Sequence, residues 1–139
     1  MDIAPMSVTR TLTLELIDAT GAATPLSAEL CYDKSDPYAV AARFSAGDDV
    51  AVRWVFARDL LAEGLYEPTG DGDVHVWPCL DAHGRAVVII ELSSPDGEAL
   101  LQASTAEVCE FLMRAETVVP KGTEAEHLDV DDVLARLLS

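Results

Sequence analysis

Basic residues are scarce in this chain. Nine Lys and Arg stand against 25 Asp and Glu over 139 residues, for a formal net charge of -16. Affinity for DNA or RNA comes largely from Lys and Arg neutralising phosphates, so this balance argues against a nucleic-acid partner. Cysteine is sparse as well. Cys31, Cys79 and Cys109 are odd in number, widely spaced and form no C-x-x-C, so they read as reduced thiols that fill space. Long hydrophobic runs are missing. The longest uninterrupted apolar stretch, residues 86–90, falls far short of the roughly 20 residues of a membrane span. Residues 1–8 carry neither the basic region nor the apolar run of a signal peptide. These absences predict a cytoplasmic protein with no membrane insertion.

The motifs of common chemistries are also absent. There is no G-x-S-x-G elbow, no Walker loop and no G-x-G-x-x-G. The Gly70-Asp71-Gly72-Asp73 stretch has the glycines, but its two carboxylates would repel a phosphate. Asp71, Asp73 and His75 alternate and invite a calcium reading. A loop starting at Asp71 would need Gly at its sixth position and Glu at its twelfth, and those positions hold Val76 and Ala82. A hairpin turn with solvated acids explains the same residues. His75, Cys79, His83 and Cys109 are the one set with transition-metal donors. Their spacing fits no zinc pattern, and Pro78 interrupts the His75–Cys79 stretch. The chain is therefore expected to be no enzyme and to hold no metal or cofactor.

What is present is patterning. Half of the residues are hydrophobic, which excludes disorder over most of the length, and the length suits a single domain over residues 1–139. Period-2 alternation predicts strands at 11–16, 26–32, 38–44 and 50–56, joined by turn chemistry at 33–37 and 46–49. Residues 57–64 are rich in helix formers and end in Gly64, a natural residue just past a helix end. Residues 66–72 read as a loop. Strands follow from Val74 and over 86–92, the latter β-branched on both faces and so central. The 94–97 turn leads to a strand at 98–102. Val108, Phe111, Leu112 and Ala115 then take the i, i+3, i+4, i+7 spacing of a helix. So do Val130, Val133, Leu134, Leu137 and Leu138 in a last helix, with Asp129 as its N-cap. The fold class is α+β. Trp54 and Phe56 share a strand face and read as core, with Trp77 and Tyr66 flanking the loop between helix and strand.

Residues 54–64, Trp-Val-Phe-Ala-Arg-Asp-Leu-Leu-Ala-Glu-Gly, resemble the signature of the SsgA-like proteins, the sporulation and cell-division proteins of actinomycetes. Residues 36–40, 72–78 and 92–101 resemble further segments of that family, in order and with compatible spacing. The resemblance covers nearly the whole chain and is greatest to the family's SsgB branch. It implies a whirly-like fold, with two antiparallel β-sheets, packed helices and a β-β-β-β-α unit used twice. It implies a homotrimer at the division septum. Its partners would be the tubulin-like protein FtsZ, whose assembly it would promote, and another SsgA-like protein that positions it. Whirly domains bind single-stranded nucleic acid, which makes that activity the alternative, opposed here by the charge. In the helix and loop from Arg58 to Tyr66, the candidate partner contacts are Arg58, Asp59, Leu60, Glu63 and Tyr66: an Arg58-Asp59 charge pair beside Leu60, with Tyr66 as aromatic anchor.

Overall fold

In the computed structural model, which describes residues 6–45, 51–127 and 137, the alternating segments become strands whose even-numbered side chains point to one side. β1 (Ser7–Ile17) buries Val8, Leu12 and Leu14 and leaves Thr9, Thr11, Thr13 and Glu15 in water. β2 (Ala23–Asp33), β3 (Ala39–Ser45) and β4 (Val52–Ala57) continue the meander. Tyr38 was expected to open the third strand. It sits instead in the turn before Ala39, 46% exposed, because Asp36 and Pro37 hold the backbone in a turn there. The helix α1 (Arg58–Gly64) follows β4 directly.

The second half repeats the order. β5 (Thr69–Asp71), β6 (Val74–Leu80), β7 (Ala86–Ser94) and β8 (Gly97–Ser104) lead into α2 (Thr105–Val118) and a short 3-10 turn over Glu124–His127. β5 falls where a loop was expected. It has only three residues, and it pairs with Val74–Val76 across a turn in which Gly72 takes φ +63. The hairpin reading of the acidic stretch is the one the backbone adopts. β7 is central, with Val87 to Ile90 and Leu92 all buried. α2 starts at Ser104, whose hydroxyl accepts the Glu107 N–H at 3.4 Å and satisfies one of the free donors of the first turn. The last helix expected from Asp129 lies, apart from Leu137, outside the described residues, as do the expected turn at 46–49 and Val50.

Two sheets were expected, and among the described residues one is found. Eight antiparallel strands run in the order β4-β3-β2-β1-β8-β7-β6-β5. The halves join where β1 meets β8, over the three pairs Glu15–Gln102, Leu16–Leu101 and Ile17–Leu100. Each four-stranded meander would otherwise end in an unpaired edge at this point, and an open edge invites pairing. The short ladder pairs part of each edge and turns two sheets into one. Both helices lie on the same face of it. Phe111, Leu112, Ala115 and Val118 of α2 and Leu60 and Leu61 of α1 cover a core that runs from Val40 and Phe56 to Ile90 and Leu101. Among the described residues no helix is long and apolar enough to cross a membrane.

Several acids bind their own turns. Asp33 accepts the backbone N–H and the hydroxyl of Ser35, both at under 3 Å, and these bonds hold its carboxyl below the ordinary value of 3.8. A group with a lowered folded-state pKa adds stability that is whole above its unfolded value and lost as pH falls through the folded one. Asp33→Ala is therefore expected to lower the melting temperature at pH 7, with the gap narrowing as pH drops below about 3.8. Thermal melts of both proteins from pH 7 to about 2.5 check this. A gap that stays constant to the acid end rejects it.

Candidate protein-binding site

α1 is a short helix of Arg, Asp, Leu, Leu, Ala, Glu and Gly, mostly good helix formers. Asp59 in its first turn favours the positive end of the helix dipole. The helix turns about 100° per residue, so adjacent residues point different ways. Arg58, Leu60, Leu61 and Gly64 are buried, whereas Asp59 and Glu63 face water. Two of the expected partner contacts are thereby corrected. Leu60 is 6% exposed and Arg58 3%, so neither offers a surface. Arg58 points away from Asp59 into the protein, and the two form no pair.

Arg58 instead ties three distant segments together. One terminal nitrogen donates to the Tyr32 hydroxyl at 3.1 Å and to the Val119 carbonyl at 2.7 Å. The other donates to Glu124 Oε1 at 2.6 Å. The guanidinium also lies 5.0 Å from the centre of the Tyr32 ring, within range of a cation–π attraction. The Tyr32 hydroxyl donates a hydrogen bond to the Pro37 carbonyl at 2.8 Å, and burial pushes its phenol up from 10.0. Glu124 accepts the Gly122 N–H as well. Its carboxyl is held below 4.5 by its own backbone N–H first, then that of Gly122, with Arg58 adding to both. Arg58, Tyr32 and Glu124 spend these groups on one another and on nearby backbone, so this cluster builds the fold.

Two of the remaining candidates, Glu63 and Tyr66, share a surface, whereas Asp59 is exposed outside it. Glu63 and Tyr66, with Ala62 and Leu65, make one wall of a groove of about 240 Å³. The other wall is α2, through Cys109, Leu112, Met113 and Glu116, and Lys121 closes one end. Tyr66 is 82% exposed and Met113 63%, so two large apolar side chains stand uncovered at its mouth. Met113 was not a candidate from the sequence. A signal for it existed: it falls off the buried stripe of Val108, Phe111, Leu112 and Ala115, where a polar residue is the norm.

The other constellations do not assemble. His75 and Cys79 project from β6 on the side opposite Val74 and Val76, while Cys109 lies on α2, across the sheet. Among the described residues no three His, Cys, Asp or Glu side chains converge on a metal-sized site. His75 lies 3.6 Å from Glu91 on the exposed face. Trp54 and Phe56 pack toward the core, and Trp77 stays half-buried on the other face. A larger hollow of about 480 Å³ lies on the solvent side of β1 to β4, among Thr9, Asp33, Asp36 and Arg53. It is mostly polar, and Asp33 is already committed to its turn.

Residues 26–124 match the model of a family described as Streptomyces sporulation and cell division protein, SsgA. The chain belongs to the SsgA family. It is similar to the sporulation-specific cell division protein SsgB of Streptomyces coelicolor, with 52% identity covering 92% of this chain and 93% of that one. It is also similar to the SsgB of Thermobifida fusca, at 44% identity over the full length of both. Its coordinates match a solved structure reported for mutations in SsgB that correlate to longitudinal cell division during sporulation of Streptomyces coelicolor. The TM-score is 0.84 at 50% identity, covering 91% of this chain and 99% of that one. A crystal structure of an SsgA-like sporulation-specific cell division protein from Thermobifida fusca gives 0.86 at 42% identity, covering 99% of each. These likenesses support a cell-division role in sporulation and the mostly antiparallel α+β fold.

Proposed function

We propose that this chain is a non-catalytic division protein that recruits FtsZ to septum sites during sporulation and promotes its assembly there. The observation that carries this reading is likeness to SsgB along nearly the whole chain. The site agrees in kind. A groove of about 240 Å³ is smaller than the roughly 300–1,000 Å³ of small-molecule pockets. It is suited to side chains of another protein. A homotrimer fits the same reading, since among the described residues β4 ends the sheet with an open edge and an exposed Val55 that a neighbouring subunit would cover.

The test is sedimentation of FtsZ polymers with the purified protein and GTP. More FtsZ in the pellet, with this chain alongside it, is the expected result. Unchanged FtsZ assembly without co-sedimentation rejects the proposal. Sedimentation velocity on the same preparation reads the trimer, and a single monomeric species rejects it. The alternative, single-stranded nucleic-acid binding, draws on the order of four strands and a helix used twice. The charge of -16 opposes it. Filter binding at low salt separates the two readings, because tight retention of an oligonucleotide would favour the alternative.

A further inference from the structure

The groove between α1 and α2 selects its occupant by size and by charge. Its floor is apolar, through Leu65 and Leu112. Its rims are acidic, with Glu63 on the α1 side and Glu116 on the α2 side, and among the described residues Lys121 is the single cation in the lining. Tyr66 and Met113 stand over the mouth, largely uncovered. At about 240 Å³ it takes one large anchor side chain and a neighbour. α2 provides a rail of 14 residues, about 21 Å long at 1.5 Å per residue.

The geometry points to an amphipathic helical segment of a partner protein as the occupant, with an apolar i, i+3, i+4, i+7 stripe and Lys or Arg on its flanks. The stripe would seat on the floor and against Tyr66 and Met113, as helices seat in apolar grooves elsewhere. Basic flanks would meet Glu63 and Glu116, whereas acidic flanks would meet like charge on a protein that is already -16. That second condition disfavours this chain's own C-terminal stretch, which carries Asp129, Asp131 and Asp132. Leu137 of that stretch is 75% exposed and so is not seated in the groove. The inference rests on the reading of the chain as a protein that works by binding a partner.

Fluorescence anisotropy tests it with three labelled peptides of about 15 residues, sized to α2. The first carries Leu at the stripe positions and Lys elsewhere, the second has the same composition in scrambled order, and the third has Glu in place of Lys. A fourth probe is the chain's own segment 128–139. The striped Lys peptide is expected to bind about tenfold or more tightly than any other, a difference well outside measurement error. Met113→Asp and Tyr66→Ala should each weaken it about fivefold or more, without changing the melting temperature. Equal binding of the scrambled peptide overturns the inference, because bulk charge then explains the affinity. So does tighter binding of the Glu peptide or of segment 128–139, or wild-type affinity in both variants. The same variants in the FtsZ sedimentation assay keep the two proposals apart. If wild-type protein leaves FtsZ unchanged, recruitment fails and the peptide result alone decides the groove.

Discussion

Replacing Arg58 by Ala is expected to lower the melting temperature by roughly 10 °C or more, as a change that breaks a buried hydrogen-bond and charge network does. The loss is larger than that of one ion pair. The Tyr32 hydroxyl, the Val119 carbonyl and Glu124 each lose the bond from Arg58 at once, and a buried carboxylate stripped of its cation costs more than the bond itself was worth. The effect is also asymmetric. Glu124→Gln keeps an oxygen that can accept from Arg58 and leaves the bonds to Tyr32 and Val119 in place, so its loss should be smaller. Arg58→Lys should fall between them, since an ammonium cannot reproduce the planar fork that reaches three acceptors. Thermal melts of the three variants check the order. If Arg58→Ala melts with the wild type while FtsZ sedimentation is lost, Arg58 is a contact residue and the buried cluster has been misread.

The strands were legible in the sequence because burial on one face leaves a period of two. Leu12 and Leu14 on β1, and Ala28 and Leu30 on β2, are buried as the alternation predicts. The central place of β7 was legible for the opposite reason: its branched residues fill both faces. What patterning could not supply was anything set by distant pairing. β5 has three residues, too few for a period. The fusion of two meanders into one sheet depends on three pairs between residues 15–17 and 100–102, which no local pattern encodes. The site divided in the same way. The signature run and the loop after it located one wall of the groove through Glu63 and Tyr66. The other wall comes from Cys109 to Glu116, more than forty residues on. Arg58 and Asp59 looked like a pair because they are adjacent in the chain, but on a helix adjacency separates side chains. Arg58 finds its carboxylate at Glu124, 66 positions away.

Gly64→Ala is the sharpest test of why the signature run ends as it does, because the candidate explanations differ in sign or in their dependence on Val76. If Gly64 were an ordinary exposed helix residue, Ala would stabilise by up to about 1 kcal/mol through helix propensity. If it were a helix-ending glycine with left-handed backbone, as its place in the sequence suggested, Ala would be strained by the backbone alone. Neither applies. Gly64 is the last residue of α1, the capping position is Leu65 with φ -69, and Gly64 is not among the glycines with positive φ. It is needed for closeness. A Cβ built there would fall on the Cγ1 and Cβ of Val76, a fully buried residue of β6. The helix must lift from the sheet or Val76 must move, and overpacking of this kind costs about 1–3 kcal/mol. Denaturant unfolding of Gly64→Ala is therefore expected to show a loss of that size. Gly64→Ala combined with Val76→Ala should recover part of it relative to Val76→Ala alone, because the smaller side chain opens the space the new methyl needs. A loss that is the same on both backgrounds would place the strain in the backbone. The α1 wall of the groove would then owe its position to the helix end and not to contact with β6.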